Sequence, residues 1–309
     1  MSMKPRWEAA LIFSVALLLP CGVLRAEIFR IATYNVENYL DRPTESRPHI
    51  KSAAARAKVR ESLSAIRPDV LALQEIGGEG VLLELQNSLK AEGLVLPYSE
   101  LVYGYDTNIQ VALLSRFPIS ARRPHTNECF LLSGRRVRVS RGFAEVDIRV
   151  SARLAFTLIN AHLKSRRPVV MADESEQRFE ESRVLRRLIN ARLAANPAAR
   201  LVVLGDFNDT RDSPTLREIL GDGRGRLLDT RPAERNGDTA SWGGPRLEPR
   251  RVVWTEYYAP EDSYCRIDYI LLSAGMVRDW VPAETYVLAL PDWGLGSDHR
   301  PLVAGFVLN

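Results

Sequence analysis

The sequence predicts an α/β protein in which two sheets pack face to face with helices outside. Three observations carry that expectation. Helical and strand patterns mingle along the chain instead of segregating to its halves. Several strand candidates follow one another closely enough to pair antiparallel. The strands are too many for one doubly wound sheet, and their apolar runs need cover on both faces. The chain has 309 residues, 46% hydrophobic and 26% charged, an ordinary globular composition with length enough for a large core. It carries no repeat of solenoid period and no low-complexity tract.

At the N-terminus, Lys4 and Arg6 precede an apolar run from Ala9 to Leu19, and Leu24-Arg25-Ala26 follows. A basic start, a short apolar stretch and a small residue before the cut read as a secretory signal over residues 1–26. The run is too short for a comfortable transmembrane helix. Export to a periplasmic or extracellular space, without stable membrane insertion, is therefore expected, and residues 27–309 are expected to form one domain. Cleavage removes Lys4, Arg6, Arg25 and Glu8 and takes the net charge from +4 to +2. A chain so weakly basic supplies no global electrostatic argument for a nucleic-acid partner.

Glu27–Tyr34 reads as the first strand. A helix is expected over Lys51–Ile66, where Val59, Leu63 and Ile66 share one face, and Arg67-Pro68-Asp69 ends it. Val70–Leu73 is a short buried strand with Glu75 just past it, and Val81–Leu89 is helical. Ile109–Leu114 and Phe117–Ser120 are strands broken at Ser115-Arg116. Phe143–Val150 and Leu154–Ile159 are close enough to form a hairpin. Ser175–Leu193 is a long helix, and Leu201–Leu204 a buried strand stopped by Gly205. Ser213-Pro214 joins a capping side chain to a favoured first-turn residue and opens a short helix. Ile267–Leu272, Thr285–Leu290 and Leu302–Val307 complete the strands, and Gly221–Arg251, rich in Gly, Arg and Pro, is expected to be a long surface excursion.

Two basic clusters stand out: Arg135-Arg136-Val137-Arg138 with Arg141, and Lys164 with Arg166 and Arg167. They read either as a solvated edge that discourages strand pairing or as a patch for substrate phosphates. The cysteines are Cys21, Cys129 and Cys265. The last two could pair in an exported protein, and no spacing points to a zinc site.

Chemistry concentrates at strand ends. In order come Thr33-Tyr34-Asn35-Val36-Glu37-Asn38, Leu73-Gln74-Glu75, Asn160-Ala161-His162-Leu163, Gly205-Asp206-Phe207-Asn208, Arg266-Ile267-Asp268-Tyr269 and Ser297-Asp298-His299-Arg300-Pro301. Each puts a carboxylate, an amide or an imidazole at the end of an apolar run. Oxygen ligands with histidines are what a divalent-metal phosphoesterase needs. In Gly-Asp-Phe-Asn, alternate residues of an extended segment face the same way, so Asp206 and Asn208 can share a cleft while Phe207 packs behind.

This ordered set resembles the endonuclease/exonuclease/phosphatase family, whose members resemble deoxyribonuclease I, from about Ile31 to Leu302. The resemblance implies a four-layer α/β/β/α sandwich of two mainly antiparallel mixed sheets with flanking helices. It implies a site at the sheet ends and cleavage of phosphate esters with magnesium, manganese or calcium. It places metal binding on Asn35, Glu75 and Asp298, with Glu37 at a position acidic in some members. It places catalysis on His162, Asp206, Asn208, Asp268 and His299. Asp268 would orient His299, Asp206 would align or deprotonate the attacking water, and Asn208 would donate to a phosphoryl oxygen. His162 would contact phosphate or protonate the leaving oxygen, and Arg141 would contact substrate phosphate. The deoxyribonuclease branch orients its first histidine with a glutamate; here Asn108 and Gln110 stand in that region, and either a neutral amide orients His162 or the metal stabilises the leaving group.

The expected partner is a phosphate-ester substrate, nucleic acid first, bound by a monomer. Two other readings stay open. One is a phosphodiesterase or phosphatase for lipid head groups or small esters, to which the aromatic stretch Trp254-Thr255-Glu256-Tyr257-Tyr258 is compatible. The other is a non-catalytic binding module on the same fold.

Overall fold

The computed structural model describes residues 27–167, 173–234 and 254–308. The expected signal at 1–26 lies outside these residues. Side-chain alternation makes the first strand, β1 (Ile28–Tyr39), two-faced: Phe29 and Ile31 enter one core, Ala32, Tyr34 and Val36 another. It is followed by α1 (Ala53–Ile66), β2 (Val70–Ile76), α2 (Glu79–Ala91), β3 (Tyr98–Val102), β4 (Gln110–Ser115), β5 (Ile119–His125), the hairpin of β6 (Cys129–Leu132) and β7 (Arg135–Arg138), β8 (Phe143–Arg149) and β9 (Ala155–His162). Then come α3 (Glu174–Ala195), β10 (Leu201–Asp206), α4 (Pro214–Leu220), β11 (Leu228–Asp229), β12 (Ala233–Glu234), the hairpin of β13 (Glu256–Tyr258) and β14 (Ser263–Cys265), β15 (Asp268–Leu272), α5 (Ala274–Val277), β16 (Trp280–Val287) and β17 (Leu302–Val307).

One sheet has the order β12-β16-β17-β1-β2-β4-β3 and the other β11-β15-β10-β9-β8-β5. Parallel pairing is confined to β1–β2, β9–β10 and β12–β16. The remaining neighbours are antiparallel, so the sheets are mixed and mainly antiparallel as expected. Phe29, Val70, Leu113, Val146, Leu158, Val202 and Ile270 fill the space between the sheets. Val59, Leu63, Leu85 and Leu89 bring α1 and α2 onto the outer face of the first. Val184, Leu185, Ile189 and Leu216 bring α3 and α4 onto the outer face of the second. Three cores between four layers make the α/β/β/α sandwich.

The helix starts follow their caps. Ser52 accepts from the Ala55 amide, and Ser213 accepts from the Leu216 amide with Pro214 behind it. Gly205 is required by close packing of strands: at φ +132° an added Cβ would lie 1.9 Å from the Ala161 carbonyl oxygen.

Several expected boundaries move. The first strand runs on through the polar segment to Tyr39, because the chain turns over at Glu37 and Asn38 (φ 42° and 51°) and then rejoins β2. The strand expected at Phe117–Ser120 is Ile119–His125, and the one at Thr285–Leu290 is Trp280–Val287. The excursion expected over Gly221–Arg251 is not all surface loop: β11 edges one sheet and β12 the other. Its part from 235 onward lies outside the described residues. Cys129 and Cys265 are free thiols. Among the described residues no helix is long and apolar enough to cross a membrane.

Candidate active site

The parallel pairs β1–β2 and β9–β10 fix where polar side chains collect. Asn35 is level with Gln74, and Asp206 is level with both His162 and Asp268. These positions lie at the same edge of the stacked sheets. The backbone there is unusual: Glu75 sits at φ 61° and Asn208 at φ 54°, in the left-handed region that L-residues avoid. Such outliers persist where surrounding structure over-determines them, and they collect at functional sites.

Amides tie the two sheets together beneath the site. Asn35 Nδ2 donates to Asp206 Oδ2 at 3.0 Å. Gln74 Nε2 donates to Asn160 Oδ1 at 2.7 Å, and Asn160 Nδ2 donates back across the interface to the carbonyls of Leu73 and Ala112 at 3.0 and 2.9 Å. Asn160, noted in its motif but given no role from sequence, is a cross-sheet bracket.

His299 Nδ1 meets Asp268 Oδ2 at 2.8 Å, and its Nε2 faces Asp206 Oδ2 at 3.8 Å. The Thr255 hydroxyl accepts from the amides of Ile267 and Asp268, fixing the strand that carries the carboxylate. Burial opposes a charged ring at His299, but Asp268 and Asp206 outweigh it and hold the pKa well above the ordinary value. Asp206 accepts from Asn35, from the Asn208 amide nitrogen at 2.9 Å and from the Asn208 side chain at 3.2 Å. Its pKa is pushed up to about 8, by burial first and by the Asp268 charge, against the pull of His299.

Two expected roles change here. Asn208 Nδ2 is taken by Asp206 and by the Leu163 carbonyl at 3.1 Å, so this amide holds Asp206 and has no hydrogen left for a phosphoryl oxygen. His162 places Nε2 3.4 Å from Asp206 Oδ2, but its buried Nδ1 has no partner. Neither expected amide orients it: Asn108 donates to Ser46, and Gln110 bonds the Asp106 carbonyl and the Gly104 amide. Burial, then the Arg141 and His299 charges, hold His162 far below its usual pKa. A neutral imidazole of this kind is a hydrogen-bond donor and a poor proton donor to a leaving group.

Glu75 accepts from the Asn38 amide at 3.0 Å, and Arg47 Nη1 lies 3.7 Å from it. Burial would raise its pKa, but Arg47 and Arg141 outweigh burial and keep it anionic. Asp298 and Glu37 are both raised by burial first: Asp298 also by the Glu75 and Glu256 charges against the pull of His299, and Glu37 by the Asp298 and Glu75 charges against the pull of Lys51. Three mutually repelling carboxylates beside an amide oxygen are a hard-cation donor set.

Asn35, Glu75, Arg141, His162, Asp206, Asn208, Asp298 and His299 line one cavity of about 240 Å³, with Asp268 directly behind His299. All nine expected site residues therefore converge. Sequence reasoning missed Arg47 and Glu256, which line the same cavity. Glu256 pairs with Arg166 and bridges the His299 backbone. Arg47 follows no apolar run, and Glu256 stands in the sequence only as part of the aromatic stretch Trp254–Tyr258, with no motif to give it a role. The nearby aromatics mostly pack on each other: Trp254 is 4.9 Å from Tyr264 and 5.1 Å from Trp293, with the Arg300 guanidinium 3.4 Å above its ring.

A four-layer sandwich with acids, amides and a carboxylate-held imidazole at its sheet ends is a phosphoesterase architecture. This chain belongs to the endonuclease/exonuclease/phosphatase family, whose profile matches residues 32–299. Members of that family are phosphoester hydrolases. No curated protein matches the sequence. Among solved structures, truncated Caenorhabditis elegans TDP2 superposes with a TM-score of 0.59 at 18% identity, covering 91% of this chain and 98% of its own. Sphingomyelinase C from Streptomyces griseocarneus gives 0.59 at 20% identity, covering 91% and 99%. The human Nocturnin catalytic domain with bound sulfate gives 0.61 at 16% identity, covering 91% and 95%. At these identities the likeness is one of fold.

Proposed function

We propose that this protein is an exported, magnesium-dependent phosphodiesterase of nuclease type, hydrolysing DNA or RNA by in-line attack of water on phosphorus. The observation that carries the reading is the meeting of Glu75, Asp206 and His162, from three strands of two sheets, with His299 from the segment before β17, around one small cavity.

Asp206 is the base. It is raised toward neutrality, held by Asn35 and Asn208, and able to take a proton from water. His299, kept protonated by Asp268, donates from Nε2 to phosphoryl oxygens as charge grows there. Neutral His162, beside Asp206, and cationic Arg141 add donors to the cavity wall. Glu75, Asn35 and Asp298 fit a magnesium ion, with manganese or calcium as alternatives. These three residues would hold the ion, which would supply positive charge against the phosphate and the leaving oxygen.

The tightest trio of ligand-type atoms is a different one, Asp206, Asp268 and His299, within 4.8 Å of one another. We assign it to proton handling. Asp268 Oδ2 is already bonded to His299 Nδ1, and an imidazole held in its protonated form has no lone pair for a metal.

Plasmid, single-stranded DNA, RNA, a choline phosphodiester lipid and a phosphomonoester, each with magnesium or with chelator, test the reading. Metal-dependent cleavage of a nucleic acid that Glu75→Ala abolishes is expected. No metal-dependent hydrolysis of any ester would refute it. One observation favours the lipid as second substrate: Tyr264 and Leu295 are 55% and 52% exposed close to the Trp254 cluster.

A further inference from the structure

Beside the catalytic cavity lies a second and larger one of about 1250 Å³, which the two share at Arg47, Arg141, Ser165 and Arg167. One wall is the β6–β7 hairpin. An isolated two-stranded ribbon of this size is marginally stable, and this one is fastened: Phe130 and Leu132 pack into the core under α3, with Val137 against it. Pinning that face turns the other side outward. Arg135, Arg136 and Arg138 are exposed along the groove, and none has an ion-pair partner among the described residues.

The groove is lined by seven cationic side chains and three anionic ones. Of the three, Asp106 lies 3.9 Å from Arg47 and 3.8 Å from Arg141, and Asp173 is spent capping α3. Lys164 lies there too, its pKa lowered by burial first and then by the Arg141 charge, against the pull of Glu181 and Glu174. Among these cations stands Tyr105, 67% exposed.

We propose that this groove is a binding track for single-stranded nucleic acid, on which phosphates lie against Arg135, Arg136 and Arg138 and a base stacks on Tyr105. The inference rests on the nuclease reading and narrows it. Unpaired cations and an exposed aromatic face are the combination that holds a single strand without reading its sequence. Edge protection alone would explain arginines on β7. It does not explain an aromatic among them, or a groove continuous with the catalytic cavity through Arg141.

The test is fluorescence anisotropy of a labelled single-stranded oligonucleotide of about 12 nucleotides, in chelator so that binding is read apart from cleavage. The triple variant Arg135→Gln, Arg136→Gln, Arg138→Gln is expected to weaken binding by about tenfold or more at low salt. It should also flatten the slope of log affinity against log salt by about 2, the loss of three single-strand phosphate contacts. Tyr105→Ala is expected to weaken binding without changing that slope. Hydrolysis of bis(p-nitrophenyl) phosphate, which reaches only the catalytic cavity, should be the same in parent and variants. Absence of oligonucleotide binding by the parent, an unchanged slope in the triple variant, or tighter binding to duplex than to single strand overturns the track. Loss of bis(p-nitrophenyl) phosphate hydrolysis in the parent would instead strike the phosphoesterase reading, and the binding measurement stands apart from it.

Discussion

Asp206 is the side chain on which the proton chemistry turns. Four polar groups from two sheets surround it, and it is buried at the wall of the catalytic cavity. Replacing it with Asn keeps the shape and removes the base; Asp206→Asn and His299→Ala are each expected to lower turnover at least about a hundredfold. A tenfold or smaller loss in both removes them from these roles. The pH profile follows from the two shifts. The base must be ionised, so kcat/KM rises with pH through the Asp206 ionisation, pushed up to about 8 in the protein without cation. His299 must be protonated, so activity falls once pH passes its raised pKa. Asp268→Asn removes the largest charge holding that proton, and the alkaline limb should move to lower pH. An unmoved limb in that variant contradicts the dyad.

At the scale of elements, the cross-sheet amide and the hairpins matter most. Asn160→Ala strips partners from Gln74 and from the carbonyls of Leu73 and Ala112, all buried, and is expected to cost about 3 kcal/mol in denaturant unfolding with an unchanged m value. A second clasp joins β5, β8 and α3, where buried Glu145 meets His125 at 2.8 Å and also Arg123 and Arg192. The Glu145 hydrogen bond raises the His125 pKa. A raised base binds its proton more tightly when folded. Its stabilisation is therefore complete below about 6.5 and lost as pH climbs through the folded-state value. The stability difference between the parent and His125→Gln should accordingly be largest in mild acid and shrink toward pH 9; a difference that grows with pH contradicts the assignment.

These elements also show where sequence stops being informative. Both sheets' central strands and the four longer helices were legible, because apolar runs and caps such as Ser213-Pro214 are local signals. The catalytic acids were legible because each ends such a run. The β6–β7 and β13–β14 hairpins were not: Arg135–Arg138 and Ser263–Cys265 are too short and polar to carry a period, and only docking makes them strands. The length of β1 was hidden for a related reason, since the turn-over at Glu37 and Asn38 breaks the alternation that marks a strand. Arg47 answers charges that are distant in sequence, so only the folded chain reveals it.

For the whole molecule, the crowded carboxylates predict a coupling between cation and stability. Glu75, Asp298 and Glu37 repel one another in the apo protein, and an ion that binds only the folded state relieves this. Saturating magnesium is expected to raise the melting temperature by about 5 °C, and Glu75→Ala should abolish the shift. Equal shifts in parent and variant would place the ion elsewhere.

The pairing of β1 with β17 has a further consequence. Among the described strands the first in chain order, β1, sits between β2 and the last, β17, with Ile28 opposite Val307. A chain in synthesis can therefore build only half of that sheet's centre until β17 has been made. Contacts between segments so far apart in sequence are slow to close, which leaves an interval in which the middle of that sheet stands open with β1 paired on one side only.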